Sequence, residues 1–458
     1  MKKYDIAIIG GGIGGLMAAY RLKRNLPEVK IVITERGNRL EKRNCPAGKN
    51  STCVHCKHCS ITSGFAGAGA FSDGKFNLGT AYGGTLGEEL GEDMAIHYIN
   101  EVDEILNEYC TSGIPKVYLS NEALKLKCIQ NNLRLLDMNV KHLGTDNNFI
   151  TMQNLINRIA DDGTDMLPFY DCEKITENGE GGYILHYANG EDIAADKIII
   201  ATGRGGANFV ADFCRSFGVH MRSNYVDIGV RVEMKDIIWR EFSDQIYEPK
   251  ILYKTKTFED RCRMFCFNKG GLVSAENNHG IITANGHSYA EPEKKTENCN
   301  FAILSSIRFT EPFNQPTEYV ESISRLANMI GRGNVLVQRF GDLVRGRRTN
   351  DHRLGQNTVI PTLRATAGDI SLVLPHRILT NITETIYALD KVAPGTANDD
   401  TLLYGCESKY YSIRPEFKNE KFELIDGVYI IGDGSGICRG LSQSGAMGIY
   451  VADKIAEE

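Results

Sequence analysis

The residues best suited to chemistry crowd into one stretch, RNCPAGKNSTCVHCKHCSITSG, residues 43 to 64, which carries Cys45, Cys53, Cys56 and Cys59 together with His55 and His58. The spacing C-x7-C-x2-C-x2-C lets thiolates in a tight loop converge on one ion or cluster. Zinc would pin the loop, with the histidines as further ligands, whereas an iron–sulfur cluster would carry single electrons. The Cys45-Pro46 element precedes Cys-x-x-Cys-x-x-Cys, the reverse of the order in a ferredoxin loop. Cys-x-x-Cys also suits a thiol relay, because lowering one thiol's pKa favours exchange. Reduced thiols that merely line a loop have the same composition, so these readings stay open in the sequence.

A second set of residues can hold a phosphate. The apolar run Tyr4 to Ile9 predicts a strand that ends in Gly10-Gly11-Gly12-Ile13-Gly14-Gly15, a G-x-G-x-x-G turn. A helix follows, with Ile13, Leu16, Met17 and Tyr20 on one face, and a second strand, Val29 to Thr34, delivers Glu35 with Arg36 behind it. In that order the glycines let the backbone approach a pyrophosphate and the helix N-terminus attracts its charge. Glu35 can then accept from a ribose, which suits NAD or FAD and argues against a 2′-phosphate.

Composition narrows the class. The chain has 458 residues, 42% hydrophobic and 24% charged, enough for two domains with separate cores. A net charge of −6, from 52 basic and 58 acidic residues, disfavours nucleic acid as the main partner. The glycines that follow the first apolar run would break a signal helix, and no apolar run approaches the roughly 20 residues that span a bilayer. With 13 cysteines and no secretory leader in evidence, reduced thiols in a cytoplasm are expected.

Two later segments distinguish the cofactors. KIIIATGRGG, residues 197 to 206, ends a strand in Thr202-Gly203, and GVYIIGDGSG, residues 427 to 436, ends another in Gly432-Asp433. Both resemble recurring elements of FAD-binding two-dinucleotide-fold flavoproteins. The resemblance implies that Thr202 and Gly203 pass near the phosphates and that Asp433 binds a ribityl hydroxyl. It also implies a helix from about Leu441 to Ala456, entered through Gly440, whose N-terminus points at the flavin's pyrimidine edge. Further stretches, GFAGAGAFSDGKF (64 to 76), TANGHSY (283 to 289), QRFGDLVRGRR (338 to 348) and KVAPGTANDDTLLY (391 to 404), resemble a bacterial family described as uncharacterised FAD-dependent dehydrogenases. That resemblance covers nearly the whole chain and implies the fold and FAD rather than the substrate. It supports placing Gly69, Phe71, Ser72, Asp73, Gly74 and Lys75 over the cofactor, where small residues permit close approach and polar ones can hydrogen-bond.

The expected architecture is α/β: a Rossmann-like FAD-binding domain with an inserted, mostly antiparallel α+β substrate domain. The expected division is 1–222 and 401–458 for the FAD domain and 223–400 for the insert, where strand patterns such as VDIGVRVEM, RCRMFCFN and NFAILSSIRF recur. An amphipathic helix is expected over about 86 to 112, with Ile99, Val102, Leu106 and Cys110 on its buried face. No second G-x-G-x-x-G unit with a following acid appears, so electrons would come from transient NADH or NADPH, a redox protein, or a centre in the chain.

For substrate chemistry, His287 and Tyr289 are candidate proton donors for reduction of a carbon–carbon or carbon–nitrogen double bond. Arg345 and Arg347, with Arg348 and Arg339 near, could clamp an anionic small molecule. The leading expectation is an FAD-dependent oxidoreductase passing a hydride between flavin and such a substrate. The RGRR patch alternatively suits an RNA-modifying or RNA-binding flavoprotein. The stretch His376 to Leu389, with Ile378, Leu379, Ile382, Ile386 and Leu389 on one face, suits a peripheral membrane reductase of an isoprenoid lipid.

Overall fold

The computed structural model describes residues 1–46, 54, 56–81, 83–179, 181–222, 225–246, 248–278, 280–289, 291–309, 313, 315–410 and 414–458. The chain forms two compact units, 1–116 with 141–224 and 411–458, and 117–140 with 225–410.

The first unit is built on a twisted sheet. From the edge its strands run Glu423–Ile425, Val428–Ile430, Asp192–Ile200, Lys2–Ile9, Ile31–Glu35 and Asp165–Pro168, parallel from the second onward. Side-chain alternation sends Ile6, Ile8, Ile31, Ile33 and Ile199 to one face and Ala7, Ile9, Val32, Ile198 and Ile200 to the other, and both faces are buried. This explains why these strands read as unbroken apolar runs. The antiparallel hairpin Cys172–Glu177 and Tyr183–Tyr187 pairs onto Asp192–Ile200.

The first helix, Ile13–Asn25, is buried on more than one side because the terminal helix, Leu441–Ala456, packs against it. Glycine makes that close crossing possible, since a Cβ on Gly448 would sit 2.3 Å from the Gly14 carbonyl oxygen. The helix expected over 86 to 112 is two helices, Leu86–Leu90 and Glu92–Tyr109, divided at Gly91 with φ +84°. Ile99, Val102 and Leu106 are buried as expected, whereas Cys110 falls at the C-cap, just past the helix, and is only half-buried.

The second unit centres on an eight-stranded, largely antiparallel sheet in the order Thr366–Ala367, Leu336–Arg339, Leu402–Tyr410, Val226–Lys235, Asn298–Ile307, Arg261–Asn268, Ile251–Lys254 and Leu133–Leu135. The expected boundary at residue 400 is therefore displaced, because Leu402–Tyr410 pairs with both Val226–Glu233 and Leu336–Arg339. The Pro-Gly-Thr-Ala-Asn-Asp-Asp stretch before it is a closed turn, with the Gly395 and Ala397 amides both donating to Asp390 Oδ1. Residues 117–140 also join this unit, through the edge strand Leu133–Leu135.

On Val226–Lys235 the even positions Val226, Ile228, Val230, Val232 and Met234 enter the apolar core. The odd positions Asp227, Arg231 and Glu233 are polar, yet they are fully buried too. Helix His376–Asp390 turns Ile378, Ile382, Ile386 and Leu389 into the same core. That face is committed to packing, which overturns the interfacial-helix reading. Among the described residues no helix is long and apolar enough to cross a membrane.

Candidate functional site

In the first unit the carboxyl ends of the parallel strands bring together the glycine turn, Glu35, the 202–206 turn and the 432–436 turn. Each glycine of the first turn has a distinct geometric duty. Gly10 turns the chain at φ +110°, and a Cβ there would lie 2.4 Å from the Ala201 carbonyl oxygen. Gly15 lets the helix sit against the strand, its Cβ position being 2.2 Å from the Gly10 oxygen. Gly14 faces the terminal helix, 3.1 Å from the Ser444 oxygen. Gly12 alone of these four has nothing within 4 Å of its Cβ position. It is also the N-cap of the first helix, and it offers no side chain to the helix's first amides. An open space over an uncapped helix start is a cradle for an anion.

Glu35 is buried at the end of its strand. Its Oε2 accepts from the Gly11 amide at 3.0 Å, and its Oε1 from the Gly37 and Gly64 amides at 3.0 and 2.9 Å. A carboxylate has about four acceptor positions, so a ribose hydroxyl still finds one here. Arg36 reaches outward, donating from Nη1 to the Gly205 carbonyl at 3.0 Å and from Nε and Nη2 to Ser63 Oγ.

The 202–206 and 432–436 turns abut, with the Gly434 Cβ position 3.4 Å from the Gly203 nitrogen. Both Gly203 and Gly432 take positive φ, +59° and +69°. Arg204 Nε pairs with Asp433 Oδ2 at 2.9 Å, a partner that motif reading did not supply.

The segment after the cysteines crosses the glycine turn. Phe65 covers Gly11, and the Ala66 amide donates to the Gly11 carbonyl at 2.8 Å. Gly67 approaches so closely that a Cβ on it would lie 3.2 Å from the Gly12 Cα. Gly69 meets Leu441 at the start of the terminal helix, where any Cβ would strike Leu441 Cδ2 at 2.5 Å. Ser72 and Gly74 close the loop internally, through Ser72 Oγ donating to the Gly69 carbonyl at 2.7 Å and accepting from the Gly74 amide. Asp73 and Lys75 form an ion pair at 2.9 Å, with His142 Nε2 3.8 Å from the same carboxylate.

The terminal helix starts at Gly440 without a side-chain cap. Thr202 Oγ1, Ser442 Oγ, Asn77 Oδ1 and Asn148 Oδ1 are buried in this unit without a hydrogen-bond partner. Orphaned polar atoms beside two uncapped helix starts fit a polar, anionic cofactor. A separate groove of about 730 Å³, bounded by Lys2, Arg39, Glu41, Gln153, Asn157 and Asp165, shares Phe65 with this site but none of its glycines.

Arg43 is the residue that sequence reading missed. Its guanidinium is buried and donates to the carbonyls of Ser60 (2.9 Å), Ile61 (2.7 Å), Phe65 (2.7 Å) and Gly67 (2.8 Å), with Gly64 at 3.4 Å. It also lies over the Phe71 ring at 4.8 Å. Burial pulls its pKa down to about 10, against the opposing influence of Glu35 and Cys59.

The cysteine stretch is only partly visible. Cys45 and Cys59 are half-buried and Cys56 is exposed, while Cys53 and His55 lie outside the described residues. Among the described residues no group of three or more His, Cys, Asp or Glu side chains is placed to hold a metal. Elsewhere burial pushes the thiols of Cys128, Cys214 and Cys262 up to about 11, away from thiolate chemistry.

In the second unit His287 ends the hairpin strand Ile281–His287, and its ring meets that of Tyr289 edge-on at 5.0 Å. Arg345 pairs with Asp399 at 2.7 Å and Arg347 with the buried Asp342 at 2.7 Å. Burial pushes the Asp342 carboxyl up, but Thr349, Arg347 and Arg339 together hold it below the usual range. Arg339 also pairs with Asp400. The basic patch is thus matched by acids of the same unit, which weakens its case as a nucleic-acid surface.

Comparison with known proteins adds two family matches. Residues 4–211 match the pyridine nucleotide-disulphide oxidoreductase model, and 226–410 match the FAD-dependent protein, C-terminal domain-like model. An uncharacterized protein of Clostridium beijerinckii is 26% identical over 478 aligned positions, 98% of this chain and 80% of that one. The mitochondrial L-2-hydroxyglutarate dehydrogenase of Dictyostelium discoideum is 42% identical over 53 residues, 12% of this chain and 11% of the relative. Among solved structures, glycine oxidase from Geobacillus kaustophilus aligns at 12% identity and a TM-score of 0.42, covering 100% of this chain and 96% of that one. L-proline dehydrogenase from P. horikoshii aligns at 12% identity and 0.42, covering 100% and 94%.

Proposed function

We propose that this chain, whose residues 4–211 match the pyridine nucleotide-disulphide oxidoreductase model and whose residues 226–410 match the FAD-dependent protein, C-terminal domain-like model, is an FAD-dependent oxidoreductase that exchanges a hydride with a small, anionic organic substrate. The observation that carries the cofactor assignment is the open side of Gly12 over an uncapped helix, with Glu35 at the end of the next strand.

In this reading the first-turn amides behind Gly12 hold the diphosphate and Glu35 accepts from the adenosine ribose. Thr202 and Gly203 flank the phosphates, and Asp433, oriented by Arg204, accepts from the ribityl chain. Gly440 and Leu441 bring the positive end of the terminal helix to the pyrimidine edge, where it favours negative charge. Phe65 to Gly69 cover the cofactor, while Ser72, Asp73, Gly74 and Lys75 shape that cover. Bound FAD supplies two-electron chemistry with the substrate.

The second unit is assigned substrate recognition. His287 or Tyr289 holds the proton that must accompany the hydride, and Arg345 meets the substrate's negative charge in competition with Asp399. Arg347 is the less suitable probe, since removing it strips a partner from buried Asp342. NADH, NADPH or a redox protein supplies or removes the electrons.

The test is an absorption spectrum of anaerobically purified protein, with released flavin identified by chromatography and iron, zinc and sulfide assayed on the same sample. FAD at about one per chain, bleached by NADH or NADPH, is expected. Purified protein that neither contains nor takes up FAD would refute the site assignment.

A further inference from the structure

A charged side chain buried in a protein ordinarily has an opposite charge beside it, because desolvating an ion costs far more than hydrogen bonds to neutral groups return. Arg43 departs from this rule. Its donors go to backbone carbonyls of 60, 61, 64, 65 and 67, and among the described residues no carboxylate lies within ion-pair distance of it. Glu35 and Cys59 act on it only through space, and the Glu35 oxygens accept instead from the Gly11, Gly37 and Gly64 amides.

The segment that Arg43 grips is the one that crosses the glycine turn. At one end it holds Ser60 and Ile61, directly after Cys59. At the other it holds Phe65 and Gly67, which lie on Gly11 and Gly12. Glu35 fixes the same strap from the other side through the Gly64 amide. The guanidinium is therefore one residue's thickness from the open space over Gly12.

Resting on the FAD reading of this site, we propose that Arg43 is a positioning residue whose unpaired charge is neutralised by the cofactor's diphosphate, so that binding FAD also fastens the strap from Ser60 to Gly67. Arg43 fixes the strap and contributes the field, whereas the amides at Gly12 make the contacts. The fork and the charge have separable effects: a lysine retains the charge without the five-donor fork, and a methionine retains the packing on Phe71 without either.

The experiment titrates FAD into deflavinated wild-type, Arg43→Lys and Arg43→Met proteins by flavin fluorescence. Trypsin cleavage after the exposed Lys57 is followed with and without FAD. Arg43→Met should weaken FAD binding by about 10- to 100-fold, the usual loss for a hydrogen-bonding charged group, and Arg43→Lys should recover part of it. FAD should slow cleavage after Lys57 in the wild type and fail to do so in Arg43→Met. Equal affinities in wild type and Arg43→Met, or equally weak binding by the lysine and methionine variants, overturn the role of the charge. If Arg43→Met does not fold, unprotected cleavage at Lys57 in FAD-saturated wild type is enough to overturn the coupling. Wild-type protein that binds no FAD would instead refute the underlying cofactor reading.

Discussion

At the scale of single residues, the glycines of the first turn separate binding from folding. A Cβ at position 12 would have no atom within 4 Å of it, whereas one at position 15 would drive into the Gly10 carbonyl. Gly12→Val should therefore change the stability of the cofactor-free protein by no more than about 0.5 kcal/mol. It should cost on the order of 100-fold in FAD affinity, because several amide contacts to an anion are blocked. Gly15→Val should cost about 3 kcal/mol of stability by overpacking. Thermal melting of the cofactor-free proteins and FAD titration distinguish the two, and a Gly12→Val variant with native affinity would sink the phosphate assignment. The spacing of the glycines announced the turn, but the division of duties among them came only from what surrounds each one. Arg43 and Arg204 were not, because one serves backbone carbonyls and the other an aspartate far along the chain, and neither arrangement leaves a pattern in local sequence.

At the scale of the element, the strand Val226–Lys235 shows how alternation can mislead. Its alternate residues Asp227, Arg231 and Glu233 are polar, the pattern of a strand with one wet face, yet Arg231 and Glu233 are buried together with Glu407, Asn298 and Tyr404. Arg231 Nε pairs with Glu407 at 2.8 Å, both side chains wholly buried, and its other nitrogens reach the Cys266 carbonyl and Asn285. Glu233 accepts from Thr362, Asn298 and the Tyr404 hydroxyl. Local sequence announces the strand, but only its distant partners reveal that its polar side is covered. Arg231→Met should lose about 3–5 kcal/mol by stranding Glu407, and adding Glu407→Leu should restore most of it. Urea denaturation of the two single variants and the double variant measures this. If the double variant is no more stable than Arg231→Met, the pair is not the source of the loss. Periodicity missed the break at Gly91, where a left-handed glycine interrupts an otherwise continuous apolar stripe, and it did not announce the helices Glu122–Ile129, Ala207–Ser216 and Pro316–Ile330.

At the scale of the molecule, the class of fold was legible because parallel strands buried on both faces and antiparallel strands with mixed faces have different compositions. The boundaries were not, because a capped turn at 394 to 400 has the composition of a linker. The first unit is tied together across distant segments by Glu458, which accepts from Lys197, Lys421 and Tyr429. Burial pushes its carboxyl up, but those bonds prevail and hold its pKa at about 2. A depressed carboxylate pKa stabilises the fold fully above its unfolded value of 4.5, and that contribution fades as pH falls toward about 2. Glu458→Gln should therefore cost about 1–2 kcal/mol at neutral pH, after allowance for solvent screening, and almost nothing at pH 2. Equal losses at both pH values would exclude the ionic origin. The pairing of the first helix with the terminal helix has a further consequence, in biosynthesis. The partner that covers Met17 and Gly14 leaves the ribosome only after 225–410 has been made, on the order of 20–80 s after the first helix at ordinary rates of synthesis. The second unit can close while the first still waits for the strand Val428–Ile430 and the helix Leu441–Ala456, so the cofactor platform is completed only after the second unit has been made.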